Sequence, residues 1–321
     1  MMTTGSVPPG RNPYLVLVAG VVNVRIARGV GTFRKRPASS VVDNGGISVR
    51  LSGTGWTLTR TLEQLGTDVA FATYVGTDEL GNLVAQQLAQ YGHLGATALR
   101  CDSQPRAMVL YDRHGRRANV TDLRSTPDLR YPAHVVQPML DAGCEAALLT
   151  NIGFTRSLLP SVIDRGIPVI TDLHLVESAD CEYNRDWMRA AHVLACSHER
   201  LPTNPESWIR ETWRRFGTSI TLVGCGPGGV VVGDRRSRRI WRVESCAPRG
   251  VRYVSGAGDT FLASFVHHYL RLGDAVAATR NAVLAAGWKV GGHPDEDVGV
   301  PRERLARLRA THGLPGATQL R

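Results

Sequence analysis

At 321 residues and 43% hydrophobic content the chain can bury one large core, and no apolar run approaches the length of a membrane span. The net charge of +10 is carried by arginine: only Lys35 and Lys289 are lysines, and the arginines (Arg34, Arg113, Arg189, Arg214, Arg235 and Arg302 among them) form no aromatic-interleaved block. Such a balance excludes specific nucleic-acid binding as the expected role and leaves a general attraction for phosphorylated ligands. The six cysteines, Cys101, Cys144, Cys181, Cys196, Cys225 and Cys246, include no CxxC pair, and Met1 to Pro13 is too polar for a signal peptide. A soluble protein of the reducing cytoplasm is expected, with no membrane partner.

Residues 1–13 read as a flexible tail. Tyr14 to Ala19 is an apolar run ending at Gly20, the pattern of a buried first strand in a parallel sheet. Gly20-Val21-Val22-Asn23-Val24-Arg25 follows, and Ala27 to Arg50 has no helical period and reads as short strands and loops. Ser52-Gly53-Thr54-Gly55-Trp56-Thr57 then opens a helix that closes at Gly66. Taken alone, that segment is equally well a helix that merely starts at a glycine-rich turn. Val69 to Val75 is a second strand. Gly76-Thr77-Asp78-Glu79-Leu80-Gly81 leads from it to a helix through Leu88, with Asp78 as its cap. Ala107 to Tyr111 and Ala118 to Thr121, joined at Asp112-Arg113-His114-Gly115-Arg116, read as a hairpin.

The middle third alternates strands (Ala146 to Thr150, Ile167 to Thr171, His192 to Ala195) with helices around Leu158 to Asp164 and near Trp187. This spacing predicts right-handed crossovers and a parallel sheet covered on both faces, with ligands at the carboxyl ends of the strands. Asp172 stands at one such end, either as a turn aspartate or as an acid beside the ligand. Gly224-Cys225-Gly226-Pro227-Gly228-Gly229 satisfies GxGxxG, but Val230 to Val232 behind it is another β run, so the segment is a hairpin and no dinucleotide fingerprint. No GxxxxGK[ST] occurs, which excludes a P-loop kinase.

Val251, Tyr253 and Val254 read as a strand before Ser255-Gly256-Ala257-Gly258-Asp259-Thr260-Phe261, and Phe261, Phe265, Tyr269 and Leu272 continue at helical spacing. A glycine turn entering a helix aims backbone N–H groups and the positive helix end at one point, which makes an anion hole. Asp259 at its mouth is either a first-turn cap or a base that deprotonates an alcohol while the amides hold a phosphoryl group. His267 and His268 lack metal-ligand partners at useful spacing. Asp274 to Val290 is a small-residue helix containing Asn281, and residues 301–321 form an arginine-rich helix and a solvated tail.

Gly256-Ala257-Gly258-Asp259 matches the core of the DTxGAGD motif, and the chain resembles the ribokinase-like (PfkB) family of carbohydrate and nucleoside kinases over Tyr14 to about Gly292. The resemblance implies a three-layer α/β/α fold with a mainly parallel sheet over residues 14–300 and a small β lid from about 25–50 and 97–123. The lid is also where two copies would pair as a homodimer. The resemblance further implies phosphoryl transfer from ATP with Mg2+ and no protein-only metal site, Asp259 being the base and the amides of Ala257, Gly258 and Asp259 the anion hole. Gly224, Gly226, Gly229, Asn281 and Glu199 fall where the family meets the nucleotide and its magnesium. Glu199 comes one residue early for the NxxE pattern, and Thr221 two residues early for TxGxxG.

On the acceptor side the resemblance points to Asn23, Arg25, Gly53 and Thr57. Here the chain departs from the family: Arg25 replaces an aspartate that holds sugar hydroxyls, Ser52 a glycine and Thr57 an asparagine. Tyr253 replaces the first aspartate of DTxGAGD, which contributes to a monovalent-cation site in many members, so potassium dependence is left open. An arginine offers donors only, which would suit an acidic or phosphorylated acceptor. A sugar, a sugar-like molecule and a nucleoside all remain candidate acceptors, and a non-catalytic ligand-binding descendant is the other class of reading.

Overall fold

The computed structural model describes residues 15–30, 33, 42, 46–112 and 116–320. The expected tail over 1–13, residue Tyr14 and the hairpin tip at Arg113, His114 and Gly115 lie outside them. In chain order the first part comprises β1 (Leu15–Ala19), β2 (Asn23–Gly29), β3 (Ile47–Ser52), α1 (Thr54–Leu65), β4 (Asp68–Gly76), α2 (Glu79–Gln90), β5 (Ala98–Cys101), β6 (Arg106–Tyr111) and β7 (Arg117–Asp122). The middle runs through α3 (Ala133–Asp141), β8 (Cys144–Leu149), α4 (Leu159–Ile163), β9 (Val169–Leu175), α5 (Arg185–Ala190), β10 (Ala191–Ser197) and α6 (Pro205–Phe216). The last part holds β11 (Ile220–Gly224), β12 (Val230–Asp234), β13 (Arg239–Val243), α7 (Ala257–Leu272), α8 (Ala275–Val290), α9 (Arg302–His312) and β14 (Ala317–Leu320).

Ten of the described strands form one sheet in the order β14-β13-β12-β11-β10-β9-β8-β1-β4-β5. From β11 to β5 every neighbouring pair is parallel, while β12, β13 and β14 add antiparallel at one edge. Side-chain alternation in β1 builds both cores: Leu17 and Ala19 face the layer of α3 to α6, Val16 and Val18 the layer of α1, α2, α7 and α8. Complete burial of each such Leu or Val stabilises by about 1.5–3 kcal/mol, so a strand buried on both faces has no polar position to give. The remaining four described strands, in the order β3-β2-β6-β7, are the lid, a separate small sheet. No helix among the described residues is long and apolar enough to cross a membrane.

Several sequence expectations shift in three dimensions. Ala98 to Cys101, expected in the lid, pairs with β4 in the main sheet instead. Val251 to Val254 is not a strand: the N–H groups of Arg252 and Tyr253 both donate to the Val290 carbonyl at the end of α8 (2.7 and 2.9 Å). The tail after residue 312 is not simply solvated, because β14 pairs with β13 and closes the edge of the sheet. α9 keeps its arginines outward while Leu305 and Leu308 bury against Leu65, Leu284 and Val300. Asp78 caps α2 as expected, accepting from Gly81 N at 2.9 Å, and it also accepts from Gln104 N and pairs with Arg106 at 2.8 Å. His267 and His268 are buried and bonded to Thr67 and to the Ser264 carbonyl, which makes them ordinary core histidines.

One approach places the site. A Cβ on Gly55 would stand 2.5 Å from the Gly20 carbonyl carbon, so the first turn of α1 lies directly on the end of β1. Gly53, at φ 98°, supplies the backbone reversal that starts this helix. Gly55→Ala must push α1 off β1, and we expect a loss of about 1–3 kcal/mol in urea unfolding, the usual cost of overpacking.

Candidate active site

The site lies where α1, α7 and the lid meet the carboxyl ends of β1 and β9. Gly256, the N-cap of α7, is in the left-handed region at φ 78°, a conformation that favours glycine. Ala257 N–H closes the preceding turn on the Val254 carbonyl at 3.2 Å. The Gly258 and Asp259 N–H groups are therefore the open donors of the first turn among the described residues, two amides where three were expected. A Cβ on Gly256 would touch the Thr57 methyl and the Lys289 stem, each at 3.6 Å, so α1, α7 and α8 all converge on this glycine.

Asp259 lies half-buried at the floor of the cleft. The loss of water around it is the largest cause raising its carboxyl to about 6, and the neighbouring Asp172 charge adds to the rise, while His174, Lys289 and Arg117 oppose it. Since its exposure is intermediate rather than zero, the group can still exchange protons with a ligand in the cleft. Asp172, left open between a turn and a ligand-side role, stands 3.9 Å from a Cβ on Gly258. The Asp172 carboxylate accepts from His174 N at 2.8 Å and faces His174 Nδ1 at 3.5 Å. β9 thus runs four residues past the expected end at Thr171 and carries His174, which adopts a left-handed φ of 57°. From the lid, Arg117 donates to Ser255 Oγ at 3.0 Å and covers the turn.

The expected acceptor residues share one wall. Asn23, Arg25 and Ala27 alternate onto the inner face of β2, all buried. Asn23 Oδ1 is buried without a partner, an acceptor waiting for a donor. Arg25 bonds the Pro294 carbonyl at 2.6 Å and stacks 5.4 Å over the Tyr253 ring, while its Nε has no partner. Gly53 presses on the Val21 carbonyl, and Thr57 is buried with its N–H on Gly53 O at 2.9 Å.

Among the residues expected to meet the nucleotide, β11 and β12 form the expected hairpin. Gly226 and Gly229 have φ of 54° and 80°, and the Gly224 carbonyl meets His198 Nδ1 at 3.0 Å. Glu199 is exposed on the short turn His198–Arg200 that packs against the end of β9. Asn281 sits elsewhere in character: its amide donates to Ala277 O at 2.9 Å and accepts from Arg309 at 3.3 Å, so the α8–α9 contact already uses it. The sequence reading missed three groups at the turn. Lys289 carried one overlooked signal, its rarity as a lysine, while His174 and Arg117 carried none.

No protein-family model and no curated protein matches the sequence. Solved structures do match in fold. A microbiome-derived acarbose kinase superposes with a TM-score of 0.82 at 22% identity, over 92% of this chain and 99% of that one. The ribokinase of Arabidopsis thaliana, solved with ribose and ATP, gives 0.72 at 18% over 93% and 99%. A Burkholderia thailandensis nucleoside kinase in complex with inosine gives 0.68 at 15% over 94% and 99%. The chain therefore has the ribokinase-like fold, main sheet and lid included.

Because Asp259 is raised above the usual aspartate value of 3.8, the folded state binds more protons than the unfolded state between about pH 4 and 6. Its ionisation costs stability that is absent below pH 4 and fully felt above pH 6. Asp259→Asn removes that cost, so the variant should melt higher than the parent at pH 8 and level with it at pH 4.

Proposed function

We propose that this chain is an ATP-dependent phosphotransferase that moves the γ-phosphoryl group to a hydroxyl of a sugar or sugar-like small molecule. The observation that carries the reading is Asp259 on the first turn of α7, beside two open amides and with its carboxyl raised to about 6. A carboxylate in that position is both close enough to the anion turn and basic enough to take a proton from an alcohol. The ribokinase of Arabidopsis thaliana, of the same fold, was solved with ribose and ATP, which supports the reading.

In this mechanism the Gly258 and Asp259 amides bind the transferring phosphoryl and stabilise its charge, and Asp259 accepts the acceptor's proton. Asn23 Oδ1 takes a hydroxyl as hydrogen-bond donor, filling its unsatisfied valence. Arg25 is held by Pro294 and Tyr253, so it forms the pocket wall. Gly224 to Gly229 lie along the nucleotide, and Arg117 shields the turn from water. Among the described residues no three His, Cys, Asp or Glu side chains are grouped to hold a metal ion. Magnesium fits this rim as the partner of nucleotide phosphates, with Asp172 and Glu199 as the nearby acids, and would neutralise phosphate charge there.

The test is ADP release from Mg·ATP against pentoses, hexoses, sugar phosphates, sugar acids and nucleosides. We expect turnover on a sugar class, rising with pH through about 6 as Asp259 ionises. Asp259→Asn should lower the rate by about 10²–10⁴ while ATP still binds. A variant with parental turnover would remove Asp259 from the role.

We also infer that two copies pair through the outer face of the lid. Val49, Ile26, Met108 and Val120 form one cross-strand row over all four lid strands, each 43–64% exposed. A continuous apolar row on an exposed sheet marks a contact surface. Met108→Glu should shift a dimer to monomer in sedimentation velocity without altering the far-ultraviolet spectrum, and a parent that sediments as a monomer overturns the inference.

A further inference from the structure

Lys289 is one of two lysines in a chain whose other basic residues are arginine. It lies in the last turn of α8, half-buried, with its Cε 3.6 Å from a Cβ on Gly256. Its ammonium donates to the Tyr253 carbonyl at 3.4 Å and stands 4.7 Å from the centre of the Tyr253 ring. Among the described residues no carboxylate forms an ion pair with it. The charged groups that face it are Arg25 from β2, Asp259 from α7, Glu296 from the segment after α8 and Arg117 from β7. Two of these are positive, and Glu296 is itself paired with Arg249 at 2.8 Å.

An amine enclosed this way, with no carboxylate in contact, is costly unless an anion completes the site. Burial is the largest cause lowering its pKa, to about 7, and Arg25 lowers it further against the pull of Asp259 and Glu296. An anion held at the open amides of α7, on the other side of Gly256, would supply the missing countercharge. Lysine suits this task because its charge is a compact point on a thin stem that passes beneath the turn, whereas a guanidinium is a broad planar fork. Tyr253 completes the arrangement: its carbonyl and ring face give the ammonium two uncharged contacts and leave its charge available to the turn.

We propose that Lys289 is the fixed cation of the phosphoryl turn, a positioning residue whose tethered ammonium supplies the positive charge beside Gly256 that an exchangeable metal cation would otherwise have to bring. This deepens the phosphotransferase reading and rests on it for its catalytic consequence, while the charge itself is testable without turnover. Lys289 does not touch the acceptor. It sets the potential at the turn, so its loss acts on the transfer step more than on ground-state binding of ATP.

The experiment measures turnover of the full chain in sodium, potassium and tetramethylammonium buffers, with Lys289→Met and Lys289→Ala beside the parent. Lys289→Met keeps the stem under Gly256 and removes only the charge. The parent should be indifferent to the cation, and Lys289→Met should lose about 10²-fold in kcat, the usual cost of one electrostatic contact, with little change in the KM for ATP. Lys289→Ala, which opens space, should regain rate with added ammonium and not with tetramethylammonium. Parental kcat in Lys289→Met, or a parent that needs potassium, overturns the proposal.

If the parent transfers no phosphoryl group to any acceptor, the phosphotransferase reading fails and calorimetry with inorganic phosphate decides the role of Lys289. Titration at pH 7.5 in two buffers of different ionisation enthalpy should show proton uptake on binding that is lost in Lys289→Met. Equal uptake in both proteins, or no phosphate binding to the parent, overturns it.

Discussion

The positive end of α7 is the constraint on which the rest of the structure depends. Its open amides face the point on which the neighbouring elements converge. Gly256 turns the chain in the left-handed region so that the helix can begin there. Gly55 lets α1 lie on the end of β1, which brings Thr57 against the same glycine. β9 brings Asp172 and His174, α8 brings Lys289, and the lid brings Arg117. Together they surround Asp259 with three groups that lower its pKa, His174, Lys289 and Arg117, and one like charge, Asp172, while withdrawing water, and the withdrawal of water dominates.

The lid shows how the site's two sides were remodelled together. Where sugar hydroxyls would meet an aspartate in the family that the sequence resembles, Arg25 stands instead, its guanidinium held by Pro294 and Tyr253 with Nε left unpaired. Tyr253 in turn replaces another aspartate and offers Lys289 a carbonyl and a ring face. Tyr253 is thus in contact with both cations. Arg25 in place of one acid and Tyr253 in place of another would raise the positive charge beside Lys289, and the uncharged partners hold that charge without cancelling it. Asn23 Oδ1 is left as a buried acceptor without a partner on the same wall.

Much of the fold was legible because it rests on local rules. Alternating apolar runs and helical periods gave the parallel sheet, and Asp78 declared its helix by its position. Failures came where a segment had two acceptable local states. Val251 to Val254 is β-prone, yet it found the Val290 carbonyl rather than a strand partner. Ala98 to Cys101 could serve either sheet, and register with β4 decided it. The Gly-rich tail became a strand because β13 left an open edge. Asn281 fits a family pattern by spacing, but α9, far along the chain, supplies Arg309 to its oxygen.

By itself the sequence determined the fold class, the glycine turn that opens α7 and the place of Asp259 on its first turn, because glycine dihedrals, helix polarity and apolar periodicity are properties of short segments. Only the tertiary structure decided the electrostatics of that acid. Asp172 and His174 come from β9, Lys289 from α8 and Arg117 from β7, three separate elements, and nothing in the local sequence marks those elements as neighbours. Their distances depend on how strands and helices pack, and a charge–charge interaction depends on distance and on the water excluded between the charges.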